Sequence, residues 1–189
     1  QYQPEAMIIN NTGIGAEGKV GHPEIDSVTF EQSLPRPINR DGWPKYVSGE
    51  MCQTMNAHWW LGRFDFTHMS PAQIIERLAL CRKAGANYLL NVGPTARGGI
   101  PEYEAAALRL VGQWVKLHQA AIYGGQSHRV TCPGRDFISE VDGHLYYFAF
   151  DLSIHGHANV TVGGGGAGPR AIKGLKQPIQ SVTWLDNGE

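Results

Sequence analysis

The spacing of apolar positions in the middle of the chain predicts a strand between two helices. Residues 87–94 form an apolar run of strand length that ends in a polar residue, a glycine and a proline, which is typical of a buried strand leading into a loop. A helix is predicted from Pro71 to about Lys83, because Ser70 can cap its first turn, and a second helix begins at Pro101. The apolar residues that share one face of each helix are Ile74, Ile75, Leu78 and Cys81, then Leu108, Val111, Trp114 and Val115. This order predicts the α/β repeat of a parallel sheet.

A second short apolar run ends in Asn10 and Asn11 and repeats this strand pattern over residues 4–11. Because the C-terminal ends of parallel strands lie at one edge of a sheet, where α/β proteins build their sites, we expect the polar residues after both runs at that edge. Residues 13–63 lie between the runs, are rich in glycine and proline, and read as irregular. A loop of that length inside a compact domain is rare, so we expect it to be functional or to contain elements that the pattern hides.

The last third of the chain changes to a strand-forming pattern. Residues 137–141 and 145–150 flank Asp142-Gly143, which together give a strong hairpin signal. Residues 159–162 and 180–185 look like further strands, separated by a run of four glycines. We therefore predict an antiparallel module with too few strands to close a sandwich of about 100 residues.

The length of the α/β part indicates how much of a fold is present. A complete (β/α)8 barrel takes about 250 residues, and the α/β pattern here covers about half of that. We therefore predict the α/β fold class, with the second half of a (β/α)8 TIM-like barrel in residues 1–125 and a partial antiparallel β-sandwich in residues 126–189.

Composition and charge exclude several classes of function. The chain has 16 Lys and Arg against 17 Asp and Glu, a net charge of -1, so nothing favours nucleic acid or an anionic membrane as a partner. No apolar run approaches the roughly 20 residues that cross a bilayer. The sequence shows no targeting segment and leaves a secreted, a lysosomal-like and a cytoplasmic location open, and it leaves a homo-oligomer open too.

The cysteines and histidines give no metal signature. Cys52, Cys81 and Cys132 are far apart and odd in number, so we expect neither a disulfide framework nor a zinc site. His155 and His157 have no evident third ligand, and we predict no metal and no cofactor.

Carboxylates and indoles are interleaved in residues 13–63, which is the usual composition of a carbohydrate site. Sugar C–H faces stack on aromatic rings, and hydroxyl groups bind to carboxylate acceptors. The residues concerned are Glu24, Asp26, Glu31 and Glu50, with His22, Trp43, His58, Trp59 and Trp60. The alternative is that the acids are solvated and the indoles belong to the core. Glu31 follows Phe30, and burial against that ring would favour the protonated form that a general acid needs.

A phosphate site is the other interpretation of the glycine-rich segments. Residues 163–170 lack the Lys-Ser or Lys-Thr pair of a phosphate loop. The loop over residues 91–99 is the better candidate, because barrel enzymes often bind phosphate after their last two strands.

Four segments resemble the α-L-fucosidases of glycoside hydrolase family twenty-nine. Residues 85–101 are similar to the family signature GGNYLLNVGPTxxGxIP, and residues 120–124 to EAIYG. Residues 49–56 resemble WExCxTxN, and residues 26–32 resemble DFxTPEQ. The matches cover residues 1 to about 125 in the family's order and spacing.

The resemblance implies a retaining exo-glycosidase that removes terminal α-L-fucose from glycans. One carboxylate attacks the anomeric carbon while a second, roughly 5–5.5 Å away, protonates the leaving oxygen and later activates water. By its position in the element resembling DFxTPEQ, Glu31 would be the acid/base, with Glu50 and then Glu24 as alternatives. The family's nucleophile is an Asp on the fourth barrel strand, which would precede Gln1, so we expect the chain alone to be inactive.

The resemblance also indicates where the sugar would bind. Trp59 matches an aromatic residue that in the family packs near the methyl group of the sugar, and we predict Trp60, His58 and Asn91 beside it as substrate-binding residues. The expected partner is a fucosylated oligosaccharide or glycoconjugate. Two other functions stay open: a non-catalytic glycan-binding barrel, and a barrel enzyme acting on a phosphate ligand.

Overall fold

The structure is a computed structural model that describes residues 3–11, 18–38, 45–127, 130–150, 152 and 169–187. The chain forms two compact units, Gln1–Lys116 and Leu117–Glu189. This division follows the packing, whereas the domain boundary predicted after residue 125 follows a change in sequence pattern and stays a prediction.

A parallel sheet of four strands organises the first unit. The strands are β1 (Ile9–Asn10), β2 (Ser27–Glu31), β3 (Ser48–Thr54) and β4 (Ala86–Asn91), and they lie side by side in chain order. Each neighbouring pair is parallel. The predicted α/β class with a parallel sheet is therefore confirmed.

Two of these strands were hidden in the stretch that reads as irregular. Residues 13–63 contain both β2 and β3, so the irregular reading is wrong and the alternative, that the pattern hides elements there, is confirmed. Four of the five residues of β2 are buried, including Ser27 and Thr29, so its polar residues do not alternate with solvent. A strand that is covered on both faces loses the period of two that would identify it from sequence.

The first predicted strand is shorter than its apolar run. Only Ile9 and Asn10 pair with β2, and the apolar side chains of Met7, Ile8 and Ile9 are exposed by 66%, 46% and 52%. Apolar character alone therefore overestimated the strand over residues 4–11.

Both helices begin close to where the sequence predicts, and the first also ends there. Helix α1 spans Pro71–Ala84 and helix α2 spans Glu102–Leu117. The Ser70 hydroxyl accepts a hydrogen bond from the Gln73 N–H at 3.2 Å, and the Gln73 side chain accepts one from the Ser70 N–H at 2.8 Å. This capping box satisfies two N–H groups that a helix start would otherwise leave unpaired. Gly85 ends α1 with a φ of 72°, the left-handed conformation that glycine adopts without strain.

One face of the sheet carries the core. The strand register places Val28 beside Gly49 and Ala86, and Phe30 beside Met51 and Tyr88. Two clusters of buried side chains pack on this side. They are Val20, Val28, Phe30 and Val47, and Met55, Ile74, Ala107 and Val111 from the strand ends and both helices. Burial of this face holds the strands in one register, because a slip by one residue would expose it.

The opposite face of the sheet is polar. It is covered at Thr29 on β2 and becomes open towards β4. The register aligns Thr29, Glu50 and Asn87 in one row and Glu31, Cys52 and Leu89 in the next. Leu89 is 46% exposed there. The fold therefore presents a row of polar side chains, with both candidate carboxylates among them, on the side away from the core.

The second unit contains an antiparallel sheet of three strands. A π-helical turn over Ala120–Gly124 leads into β5 (Gln126–Ser127), which pairs with β6 (Phe137–Val141), and β6 pairs with β7 (His144–Phe148). Asp142 and Gly143 have φ angles of 48° and 79°, which the two-residue turn requires. The predicted hairpin is thus confirmed.

The further strands predicted in this unit have different outcomes. Residues 180–185 form no strand, and Val182 is 82% exposed, so that prediction is wrong. No strand of the described ranges pairs with this segment, so its alternation of polar and apolar residues is not stabilised by a neighbour there. The strand predicted at residues 159–162, the pair His155 and His157, and the four-glycine run lie outside the described residues.

Across the described ranges, no helix has both the length and the apolar character that crossing a membrane requires.

Candidate functional site

The ends of the four parallel strands bring polar residues to one edge of the first unit. β1 ends at Asn10, β2 at Glu31, β3 at Thr54 and β4 at Asn91. Because all four strands run in the same direction, these residues share the C-terminal edge of the sheet, where α/β proteins bind ligands. The loops that follow β3 and β4 carry the other predicted binding residues.

Two carboxylates flank a thiol on the open face at this edge. Glu31 is paired with Cys52 across the strands, and Glu50 precedes Cys52 by two residues on the same face. Burial raises the pKa of the Cys52 thiol, and the charges of Glu50 and then Glu31 raise it further. The thiol therefore stays protonated between the two acids.

Glu50 differs from Glu31 in its position along the strand. It lies in the middle of β3, and the Asn87 amide donates a hydrogen bond to its carboxylate at 2.8 Å. Glu31 is the last residue of β2 and is partly buried. Of the two acids, Glu31 is the one at the strand end.

The expected environment of Glu31 is only partly correct. Phe30 lies on the core face with Val28, and adjacent residues of a strand point to opposite faces, so its ring cannot desolvate the Glu31 carboxyl group. Glu31 also belongs to a strand and not to a long loop. Its neighbours on the open face are Cys52 and Leu89.

The residue after Glu31 has an unusual backbone conformation that two hydrogen bonds hold. Gln32 has a φ of 56°, in the left-handed region that residues other than glycine rarely adopt. Its N–H donates to the Cys52 carbonyl at 2.8 Å, and its side-chain amide donates to the Thr54 hydroxyl at 3.1 Å. The direction in which β2 ends is therefore fixed by β3.

An aromatic segment follows β3. The rings of His58 and Trp60 are stacked with centroids 5.7 Å apart, and the Trp59 and Trp60 side chains are 37% and 63% exposed. These indoles are not core residues, which removes the alternative interpretation for both. The Asn91 amide donates to the Trp59 carbonyl at 3.0 Å, so the end of β4 holds this segment in place.

Asp65 stabilises the same loop and was not identified as important from the sequence. Its two carboxylate oxygens accept hydrogen bonds from the Ala57 N–H at 3.0 Å and the Thr67 N–H at 3.1 Å. Aspartate commonly bonds to the backbone N–H two residues later, and the pair Asp65 and Thr67 has that spacing. This spacing was the signal in the sequence.

Gly93 allows the loops after β3 and β4 to approach closely. A Cβ atom at this position would lie 2.8 Å from the Leu61 nitrogen and 2.9 Å from the Trp60 carbonyl carbon, both backbone atoms. We therefore expect Gly93→Ala to displace the aromatic segment and to destabilise the chain by about 1–3 kcal/mol.

Urea unfolding of the chain would measure that loss, and tryptophan emission of the folded state would report the displacement. Gly98→Ala is not a suitable control, because Gly98 has a φ of 81°. Gly112 has open space around its Cβ position, so Gly112→Ala serves instead. Equal stability of the Gly93 and Gly112 variants would contradict close packing at Gly93.

The remaining predicted residues lie apart from this edge. Glu24 is exposed in the turn that precedes β2, where its N–H donates to His22 Nδ1 at 3.2 Å. Asp26 also precedes β2, and its Oδ1 forms an ion pair with the Lys45 Nζ at 2.8 Å. Both lie at the N-terminal ends of the strands, so the structure does not bring Glu24 together with Glu31 and Glu50. Trp43 lies outside the described residues.

The loop after β4 uses its own backbone groups. The Thr95 N–H donates to the Gly99 carbonyl at 2.7 Å, the Gly98 N–H to the Thr95 carbonyl at 2.8 Å, and the Gly99 N–H to the Thr95 hydroxyl at 3.0 Å. These N–H groups are therefore not available to bind a phosphate. Within the described ranges there is also no cluster of three or more histidine, cysteine, aspartate or glutamate side chains suited to a metal ion.

The fold and this edge define the class of the chain: an α/β protein with polar residues at the C-terminal ends of a parallel sheet. The sequence model of the Alpha-L-fucosidase family matches residues 1–120. The chain therefore belongs to the alpha-L-fucosidase family.

Individual relatives agree with this assignment. The tissue alpha-L-fucosidase of Mus musculus is 39% identical over 84 residues, which are 43% of this chain and 19% of the mouse protein. The plasma alpha-L-fucosidase of Rattus norvegicus is 31% identical over 108 residues, 53% of this chain and 24% of the rat protein. Among solved structures, alpha-L-fucosidase isoenzyme 1 from Paenibacillus thiaminolyticus superposes with a TM-score of 0.58 at 31% identity, over 64% of this chain and 28% of that protein. The chain thus spans no more than about a quarter of the length of these curated relatives.

Proposed function

We propose that this chain is the second half of the catalytic barrel of a glycoside hydrolase that removes terminal α-L-fucose from oligosaccharides or glycoconjugates. Membership of the alpha-L-fucosidase family supports the reaction class. The four parallel strands support the half-barrel, because a (β/α)8 barrel has eight such strands. In this proposal the antiparallel sheet of the second unit begins a C-terminal β-sandwich. The preceding half of the barrel supplies the nucleophilic Asp, so the complete protein catalyses the reaction and the chain alone does not.

Glu31 is the proposed acid/base. Its carboxyl group lies on the open face at the C-terminal end of β2, beside Cys52 and close to Glu50. As the nucleophile attacks the anomeric carbon, Glu31 donates its proton to the leaving oxygen, and the C–O bond breaks. Its carboxylate then takes a proton from the water that releases fucose from the enzyme, which restores the acid and gives net retention.

Trp59, Trp60 and His58 are the proposed sugar-binding residues. Trp60 presents an exposed ring that is stacked on His58, and Trp59 is fixed through its carbonyl group by Asn91. An aromatic surface of this kind suits the apolar side of fucose, which carries a methyl group. Asn91 in this arrangement positions the aromatic segment and lies beside the sugar.

The observation that carries the proposal is the placement of Glu31 and Asn91 at one edge of a parallel sheet, with the aromatic segment between their strands. An acid without a binding surface, or a binding surface without an acid, would not support hydrolysis.

The stereochemistry of the product tests the mechanism. When the complete protein hydrolyses an aryl α-L-fucoside, we expect the first fucose to appear as the α anomer, because two displacements restore the configuration. Proton NMR spectra recorded in the first minutes would distinguish α-L-fucose from the β anomer that later accumulates by mutarotation. β-L-Fucose as the first product would contradict retention. Saturable fucose binding without any hydrolysis would indicate a glycan-binding protein.

A further inference from the structure

Glu104 is a buried carboxylic acid that the proposed mechanism does not use. It lies in the first turn of α2 and its relative exposure is 0%. The Asn56 amide donates to its Oε1 at 3.3 Å, and the nearby Gly93 N–H lowers the pKa of the carboxyl group. Its other oxygen, Oε2, is buried without a hydrogen-bond partner in the described part of the chain. Burial of a carboxyl group is costly, so a residue of this kind needs a reason to be there.

The surroundings of Glu104 are polar and belong to the loops of the candidate site. Burial raises its pKa, while the Gly93 N–H and the charge of His68 oppose that rise and the charge of Asp65 adds to it. Asp65 holds the loop after β3, as described above, and the His68 ring packs on Tyr103 with centroids 4.8 Å apart. Glu104 therefore lies where α2 meets the loops that follow β3 and β4.

A series of hydrogen bonds connects Glu104 to the residue next to Glu31. Asn56, which donates to Glu104, accepts a hydrogen bond on its carbonyl from the Thr54 hydroxyl at 2.6 Å. The Thr54 hydroxyl in turn accepts one from the Gln32 side chain at 3.1 Å. Thr54 and Asn56 are 6% and 7% exposed, so water competes little for these bonds. A change in the position of Glu104 would therefore alter the hydrogen bonds that hold the end of β2.

A second branch connects Glu104 to the aromatic segment. The Asn56 side-chain oxygen accepts from the His58 N–H at 3.3 Å, so one side chain bonds both to Glu104 and to the start of the aromatic segment. Gly93, whose N–H lowers the pKa of the nearby Glu104 carboxyl group, packs directly against the backbone of Trp60 and Leu61. Both parts of the proposed site, the acid and the binding surface, thus share this one carboxyl group as an anchor.

We propose that Glu104 is a positioning residue that orients Glu31 through Asn56, Thr54 and Gln32, and that it holds the aromatic segment through Asn56 and Gly93. The inference rests on the proposed function, since it concerns the same site. The positioning role requires a hydrogen-bond acceptor at Glu104 Oε1 and does not require the negative charge of the carboxylate. Without that acceptor the Asn56 amide would be buried without its partner, a loss that the loops would relieve by moving.

Two variants of Glu104 separate positioning from general stability. Glu104→Gln keeps an oxygen acceptor, whereas Glu104→Leu removes it at similar volume. In the complete protein, we expect Glu104→Leu to lower kcat/KM for a fucosyl disaccharide with a poor leaving group by about ten- to a hundredfold, as a misplaced catalytic group does. The value for an activated aryl fucoside should fall less, because its departure needs little protonation and only the displacement of the aromatic segment affects it. Glu104→Gln should restore most of the loss.

Two further variants test whether the effect of Glu104→Leu depends on this series of hydrogen bonds. Glu102→Gln changes an exposed acid in the same turn and should behave as the unsubstituted protein. Thr54→Val breaks the series between Asn56 and Gln32 without touching Glu104, and it should reproduce the substrate dependence of Glu104→Leu. If Glu104→Leu does not fold, the kinetics of Thr54→Val and Glu104→Gln still test the positioning role. Equal losses on both fucosides in Thr54→Val would overturn the inference.

Glu31→Ala, measured in parallel, distinguishes failure of this inference from failure of the proposed function. If Glu31→Ala shows the dependence on leaving group and Thr54→Val does not, the positioning role is wrong and the acid/base role stands. If Glu31→Ala loses activity equally on both substrates, the proposed acid is wrong. A second readout uses the 189-residue chain itself. The NMR signal of the Gln32 side-chain amide should shift in Glu104→Leu and stay unchanged in Glu102→Gln, and an unshifted signal in Glu104→Leu would contradict the connection.

Discussion

Replacing Glu31 by alanine is expected to lower kcat/KM of the complete protein for fucosides with poor leaving groups by about 10²–10⁴-fold, the usual contribution of a general acid. The reason is that a sugar alkoxide cannot depart unless it is protonated. An activated aryl fucoside leaves without that help, so its kcat/KM should fall far less. Added azide should raise kcat for the activated substrate, because it attacks the fucosyl enzyme without needing a base. Steady-state kinetics on both substrates, with and without azide, measure all three effects.

Glu50 is the competing residue for the acid role, and the same experiment decides between the two. Glu50→Ala removes a carboxylate two residues from Cys52, in the middle of β3, where Asn87 already binds it. We expect a loss that does not depend on the leaving group and is not rescued by azide. The acid/base role would pass to Glu50 if its variant shows the dependence on leaving group and Glu31→Ala does not.

Replacing Asp136 by alanine is expected to destabilise the second unit by about 3 kcal/mol, as removal of one partner from a buried ion pair does. Asp136 is 4% exposed and accepts hydrogen bonds from Arg170, from the Tyr147 hydroxyl and from the Phe150 N–H. Alanine would leave a guanidinium group and an N–H without their acceptor. Urea unfolding of the chain, followed by tyrosine and tryptophan signals, would give the difference in free energy.

The same carboxyl group predicts how the stability of this unit depends on pH. Burial by itself would raise the pKa of Asp136, but the hydrogen bonds from Arg170, Tyr147 and Phe150 outweigh it, and the pKa is lowered below its ordinary value. Its stabilisation is therefore fully present above the pKa of the unfolded chain, about 3.9, and is lost as the pH falls through the lower folded value. Asp142→Asn is the control, because Asn suits the turn equally well. A stability of Asp136→Ala equal to that of Asp142→Asn at pH 7 would contradict the role of the ion pair.

The parts of the fold that were predicted from sequence are those with strong local signals. Ser70 and Gln73 identify the start of α1, and Asp142-Gly143 identifies the hairpin, because each depends on residues that are close in the chain. Strand β2 has no such signal. Its burial depends on neighbours contributed by β1 and β3, and its serine and threonine residues resemble those of a loop.

In the candidate site, too, the features that depend on nearby residues were predicted and those that depend on distant residues were not. Asn91 is found from the rule that polar residues at the ends of parallel strands meet at one edge. Glu31 was singled out by its place after Phe30 and by the resemblance to DFxTPEQ, because β2 was not predicted. The expected contact of Glu31 with Phe30 was wrong because it assumed a loop, whereas a strand sends adjacent side chains to opposite faces. The link from Glu104 to Gln32 could not be predicted, since Asn56 and Glu104 are 48 residues apart and only the fold brings them together.

The position of β4 at one end of the sheet has a consequence for handling the chain. Its six residues bond to β3 on one side, and no strand among the described residues pairs with the other side. That side offers a row of vacant amide and carbonyl groups beside the exposed Leu89, which is a template for adding another extended segment. We therefore expect copies of this chain by itself to associate along β4 in concentrated solution, whereas in the proposed complete barrel the preceding half would pair with this side.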